Sequence, residues 1–438
     1  MIKEFFKTII LVILVLSSLV FTLLVWSYET DFSEVETSLS ALPNTGQGER
    51  VEYARVIRPY QYVFIEGNEL SGTQDVNAMN ISLREHLDGT SVESLHFGSD
   101  LSNMNEMLQD IDSQRILILD FSTNIPTTTF LTTYGIDFEG YRPTGDMSRV
   151  IFDLRDTHAI MYLLNRDTQY TSRVMIELPS QDVISTIEQY SERYENFSSI
   201  ITNRNNASRL TSIYSPSAPT GMHREVFISS VTSVDVLNQV MFLNNDFTSM
   251  DQNGITMYEN DNVATYYNNE TYRYLYQNKH EVQTESSNDQ LTIRKAFDFL
   301  NSHRALNRNS IIFNYESDKS QLTIRDSLNG KLVFSDDIVN TIIVSDGEEE
   351  IYEYQRSQLR TSTQIPAQDI VTLPNIETVR YEIASSDDLS LQYVTNFIVG
   401  YNMRFSEEQS ELNLVTFTPS WFILYDGEWM RYEDGELN

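Results

Sequence analysis

The apolar rhythm of the chain changes several times, and each change predicts a different element. Residues 8–28 (TIILVILVLSSLVFTLLVWSY) are apolar all round and carry no charge. At 1.5 Å per residue such a helix is about 31 Å long, enough to cross a hydrocarbon core. Residues 29–50 are polar and turn-rich, which predicts a linker. From 51 onward the pattern is that of a folded body. Alternating or continuous apolar runs predict strands at 60–65 (YQYVFI), 115–121 (RILILDF), 149–154, 159–164, 174–178 and 226–231. Helical spacing predicts helices at 76–87, 101–111 and 182–190. Residues 203–222, rich in Asn, Ser, Thr and Pro, predict a long loop.

Caps and turns sharpen the second half. Thr232 or Ser233 is placed to cap a helix whose buried face is Val236, Leu237, Val240 and Met241. Asn288 is placed to cap another, with Ile293, Ala296, Phe297 and Leu300 as its stripe. Between them, 257–276 predicts a tyrosine-rich hairpin turning near Asn268 and Asn269. Asn329-Gly330 and Asp426-Gly427 are type I′ hairpin signals, the second placing Leu424 opposite Trp429. The predicted class is α+β: a single N-terminal transmembrane helix, then a multi-domain extracellular part with mixed and antiparallel sheets. The predicted divisions are 1–28 (tip and anchor), 29–50 (linker), and outer domains at 51–170, 171–285 and 286–438.

Charge orients the first helix. Lys3 and Lys7 precede the apolar run, whereas Glu29, Asp31, Glu34 and Glu36 follow it. The positive-inside rule then puts the short N-terminus in the cytoplasm and the bulk outside a single-pass cell-membrane anchor. Trp26 and Tyr28 fall where an interfacial aromatic belt sits. A cleaved signal peptide would have a shorter apolar run and a small-residue cleavage site, and WSYETDF offers none. Ser18 and Thr22, four apart and flanked by Leu11, Val15 and Val25, have two readings: a small-residue face for helix–helix contact, or isolated Ser and Thr of a kind common in such helices and without a role.

Composition removes several chemistries. With 30 Lys plus Arg against 63 Asp plus Glu, the net charge is −33, which repels a nucleic-acid backbone. The absence of cysteine excludes disulfides, zinc–thiolate sites, iron–sulfur clusters and thiol nucleophiles. No dinucleotide fingerprint, P-loop, zincin or serine-hydrolase motif occurs. His86, His96, His158, His223, His280 and His303 show no metal-ligand spacing. No catalytic, metal or cofactor site is expected. The Glu348–Glu350 run reads as a solvated turn rather than a Ca²⁺ loop, lacking the alternating acidic pattern of one. Tyr266, Tyr267, Tyr272, Tyr274 and Tyr276 have two readings: cross-strand packing within a hairpin, or a protein-contact surface.

The ends of the chain carry a family pattern. The lone span leads into LLVWSYETDF, and the C-terminal part holds FIVGYNMRF (397–405) followed by LVTFTPSWFILYDGEW (414–429). In these segments and in layout the chain resembles the YycH (WalH) family, regulators of the WalK (YycG) sensor histidine kinase in low-GC Gram-positive bacteria. The resemblance implies three outer domains and no catalytic residues. It implies a membrane complex with the kinase and a YycI-like partner, and an effect on cell-wall homeostasis. The alternatives are an anchored ligand-binding sensor and an extracytoplasmic cell-wall hydrolase.

Overall fold

The strongest apolar run of the body, RILILDF, becomes the middle of a sheet. In the computed structural model it lies in a strand, Arg115–Pro126, buried on both faces over most of its length. The structure describes residues 7, 48–98, 115–168, 170–202, 211–242, 246–366, 369–406 and 413–438. Met1–Asn44 and Thr45–Asn438 are separate compact units, and the fold described is that of the second. The predicted span 8–28 and the predicted helix 101–111 lie outside the described residues. Among those described, no helix is long and apolar enough to cross a membrane.

The first sheet has nine strands: β1 Gln61–Glu66, β2 Glu69–Thr73, β3 Val92–Gly98, β4 Arg115–Pro126, β5 Asp146–Asp153, β6 His158–Leu164, β7 Thr171–Pro179, β8 Glu195–Ile200 and β9 Ile213–Pro216. Their order is β3-β7-β6-β5-β4-β1-β2-β8-β9, with antiparallel pairing throughout. Alternation gives the sheet two apolar faces. Leu117, Leu119 and Phe152 face one side, where helices α1 Asn77–Leu87 and α3 Ser180–Gln189 bring Leu83, Leu87, Val183 and Ile187. Between them in sequence lies the short α2, Thr127–Thr133. Ile116, Ile118 and Ile151 face the other side and pack with Phe197 of β8 and Tyr214 of β9.

The strand β9 is a correction to the sequence reading, which made 203–222 one long loop. Its Ile213 and Tyr214 are buried at 5% and 0% exposure, an apolar pair inside a stretch whose Ser and Pro signal a turn. Met222–His223 adds a two-residue strand, β10. Burial against the first sheet outweighs local composition here.

The second sheet takes up nearly all the rest: β11 Glu225–Val231, β12 Thr248–Gln252, β13 Ile255–Glu259, β14 Val263–Asn268, β15 Arg273–Asn278, β16 Ser310–Glu316, β17 Gln321–Leu328, β18 Lys331–Phe334, β19 Thr341–Asp346, β20 Ile351–Ser357 and β21 Leu359–Ile365. After β22 Ile370–Val371, which pairs with β10, come the long strands β23 Val394–Phe405 and β24 Leu414–Tyr425, then β25 Glu428–Glu433 and β26 Glu436–Leu437. The main path is β12-β13-β14-β15-β20-β19-β17-β18-β23-β24-β11-β21. Pairing is antiparallel except for β18 with β23, which makes the sheet mixed.

Three helices cover this sheet: α4 Val234–Met241, α5 Asp289–Ser302 and α6 Ile376–Ser385. Ser233 Oγ accepts from Asp235 N and Asn288 Oδ1 from Leu291 N, so both predicted caps form. The α5 stripe is buried as read. The α4 face is rotated from the reading: Val234, Leu237, Asn238 and Met241 are buried, and Val236 and Val240 only half so. Asn238 goes inside because its Oδ1 accepts from Thr265 Oγ1 (3.0 Å) and Tyr274 Oη (2.9 Å), which offsets the cost of desolvating the amide. The chain is thus a mixed α+β body with one antiparallel and one mixed sheet.

Candidate functional site

Two kinds of feature could do something in this body: the joint that fuses the two sheets, and the clefts beside it. The joint is built from both halves of the sequence. Phe313, Leu332, Phe334, Ile398 and Phe422 of the second sheet close over Tyr60, which immediately precedes β1. Asn396 Nδ2 donates to Tyr60 Oη at 3.0 Å. Ser122 Oγ of β4 donates to Ile312 O of β16 at 2.7 Å, and Gln74 Nε2 donates to Val399 O at 3.2 Å. Arg58 Nη1 donates to Ser310 O at 2.7 Å, and burial pushes that guanidinium down to about 10. On the helical side, Asn301 of α5 clamps Val51, accepting from its N and donating to its O. A shared core and hydrogen bonds between residues distant in sequence join the two sheets.

A fully buried ion pair lies in the first sheet. Gln61, Asp120 and Arg149 are register neighbours on β1, β4 and β5. Arg149 Nε and Nη2 approach Asp120 Oδ1 and Oδ2 at 2.5 and 3.0 Å, a bidentate pair with both side chains fully buried. Gln61 Nε2 donates to Asp120 Oδ2 (2.8 Å) and to Tyr214 O of β9 (3.0 Å), and Arg149 Nη1 donates to Ser212 O (2.9 Å). Burial works to raise the Asp120 carboxyl, but the charges of Arg149 and then Arg166 hold it below its ordinary value. The cluster pins β9 over the sheet. None of its members is among the site residues singled out from the sequence.

Two clefts flank the joint. One, of about 550 Å³, is lined by polar side chains from both sheets, among them Ser122, Asn124, Arg166, Asn314 and Thr395. The other, of about 490 Å³, is walled by the second sheet and the turn after α5. Its lining includes Arg308, Arg356 and Arg360 beside Phe227, Met403 and Phe417. Neither cleft is lined by the tyrosine cluster.

Of those five tyrosines, Tyr267, Tyr274 and Tyr276 are buried at 8%, 0% and 9% exposure. Tyr267 stands opposite Tyr274, and Tyr276 opposite Tyr354, a ladder facing α4 and α5. Desolvation raises the Tyr274 hydroxyl well above its ordinary value and Tyr276 to about 12. Tyr266, on the opposite face, and Tyr272, at the turn with φ +56°, are half-buried; Tyr272 sits 5.7 Å from the ring of Phe405. Leu11, Val15, Ser18, Thr22, Val25, Trp26 and Tyr28 lie outside the described residues. At the Glu348–Glu350 turn, the Glu281 carboxylate accepts from Glu349 N (3.1 Å) and Glu350 N (3.0 Å). Among the described residues no group of three or more His, Asp or Glu is placed to hold a metal ion.

These features define a class first: an α+β body of two fused sheets that presents clefts and surfaces. The chain belongs to the YycH family. The description "YycH protein, N-terminal domain" matches residues 4–195, and "YycH protein, C-terminal domain" matches residues 210–435. A curated relative, the two-component system WalR/WalK regulatory protein YycH of Bacillus subtilis (strain 168), is 23% identical over 279 residues. That alignment takes in 60% of this chain and 58% of the relative, under two thirds of its length. The crystal structure of YycH from Bacillus subtilis has the same fold, with a TM-score of 0.70 at 14% identity over 89% of this chain and 100% of the other.

Proposed function

We propose that this chain is a membrane-anchored accessory regulator of a two-component sensor histidine kinase of the WalK/YycG type, acting on cell-wall homeostasis through protein–protein contacts. The observation that carries the reading is family membership across both halves of the body, in a chain with a charge-free apolar run at residues 8–28. The run 8–28 is the membrane anchor, with the N-terminus cytoplasmic and the bulk extracellular. The partners are the kinase, a YycI-like membrane protein and the bilayer.

A kinase helix bundle switches between two arrangements, and a neighbour biases it only through contacts that differ between them. Two parts of this chain are suited to supply those contacts. The Ser18/Thr22 face permits close helix approach within the bilayer. A body whose sheets share a core presents a defined surface to an extracellular partner. Half-buried Tyr266 and Tyr272 offer one surface for such a partner.

Changing Ser18 or Thr22 to Leu is expected to reduce recovery of the kinase with affinity-tagged full-length chain by several-fold. The circular dichroism and unfolding midpoint of the body should stay unchanged. Undiminished recovery of the kinase with both variants would reject the helix-contact mechanism.

A further inference from the structure

The arginine-bearing cleft is out of keeping with the rest of the molecule. The chain as a whole carries a net charge of −33. The cleft gathers Arg308, Arg356 and Arg360 against two carboxylates, Glu49 and Asp326. Glu49 pairs with Arg308 at 3.0 Å, and Asp326, which accepts from Asn307 Nδ2 and Ser310 Oγ at 2.9 Å each, also acts on Arg360 through its charge, so the lining sets three guanidiniums against two carboxylates.

Arg356 is the informative member. It is 4% exposed, and its hydrogen bonds go to neutral acceptors, Tyr354 Oη at 3.2 Å and Ser357 O at 3.3 Å. Among the described residues no carboxylate lies within ion-pair distance of it. A buried guanidinium without a counter-ion is costly, and its fork of donors matches an oxyanion. Arg360 stands close enough that burial first and the Arg356 charge second push it down to about 10, against the opposing pull of Asp326. An anion between the two would relieve that repulsion. The apolar part of the lining comes from Phe227 of β11, Met403 of β23 and Phe417 of β24, with Phe227 and Phe417 in edge contact at 5.3 Å. The volume, about 490 Å³, falls within the range of small-molecule sites.

We propose that this cleft binds an amphiphilic oxyanion, with a phosphate or carboxylate head on Arg356 and Arg360 and an apolar tail on Phe227, Met403 and Phe417. The inference stands apart from the kinase reading, since it concerns a ligand of the body alone.

The test is calorimetric titration of the full-length chain in phosphatidylcholine nanodiscs, with empty discs as the blank. The probes are hexyl phosphate, hexanoate, inorganic phosphate and hexanol. At least one of the two amphiphiles should saturate a single site at least tenfold more tightly than inorganic phosphate or hexanol, and the tighter of them identifies the head group. Arg356→Met should weaken that binding at least tenfold. Thr361→Glu, an exposed position in the cleft wall, adds a carboxylate without touching the core and should weaken it several-fold. If Arg356→Met does not fold, Thr361→Glu decides the matter alone. Absence of saturable binding, equal binding of hexanol and hexyl phosphate, or affinity unmoved by the folded variants would overturn the proposal.

Discussion

Replacing Asp120 with Ala is expected to lower the stability of the body by about 3–5 kcal/mol, measured as a fall in the denaturant midpoint at neutral pH. The variant removes the bidentate carboxylate from a fully buried Arg149 guanidinium. It also frees Gln61 Nε2 from one of its two partners. The loss belongs to the broken pair rather than to the pair itself. Asp120→Leu combined with Arg149→Met should therefore recover much of the stability, because an apolar pair avoids the desolvation of both charges. The effect has a defined pH course. The folded Asp120 carboxyl titrates below its ordinary value. Its stabilisation is complete above the unfolded carboxyl value, about 3.9, and fades as pH falls through the lower folded value. The gap between parent and Asp120→Ala should close in acid and not in alkali.

Gly330→Val is expected to destabilise by roughly 3 kcal/mol or more, and to loosen the contact between the two sheets. Gly330 has φ +79° in the Asn329-Gly330 turn, where a side chain alone costs about 1–2 kcal/mol. A Cβ there would also stand 2.6 Å from Gln74 O and 2.7 Å from Asp75 Cα, backbone atoms just beyond β2 of the other sheet. Gly427 is the control. It has φ +86° in the equivalent Asp426-Gly427 turn, with nothing within 4 Å of its Cβ. Gly427→Val should show the conformational cost only. Hydrogen exchange at residues 69–80 should rise in Gly330→Val and stay at the parental level in Gly427→Val.

That pair of turns also shows how far local sequence reached. Asn-Gly and Asp-Gly each predicted a tight hairpin, and Leu328 opposite Lys331 and Leu424 opposite Trp429 are the registers found. Nothing local said that the first turn would abut Gln74 while the second would stand clear. Long runs and caps were legible because their signals lie within a few residues: RILILDF in β4, Asn288 and the α5 stripe. The helix α6 was legible and missed. Asn375 caps Glu377 N, and Ile376, Val379 and Ile383 recur at helical spacing. Strand β9 was not legible, since Ile213 and Tyr214 acquire their role from a sheet built by residues 61–179. The same holds for the candidate site. Gln61, Asp120 and Arg149 are separated by 59 and 29 positions, and register alone makes them neighbours. Arg356 and Arg360 carry no local signal of a site; the approach of Asn307, Phe227 and Met403 makes them part of a cleft.

On the proposed function, an acidic body held beside a sensor kinase by the apolar run 8–28 shifts the kinase between two states. The most direct measurement is the autophosphorylation rate of a WalK/YycG-type kinase from the same cell, reconstituted in liposomes with a YycI-like protein where the cell has one. The full-length chain is added or withheld, or supplied with 8–28 replaced by a neutral leucine span. The regulatory account predicts a several-fold change in rate with the native chain and a smaller one with the replaced span. Identical rates with and without the native chain, correctly inserted, would contradict it.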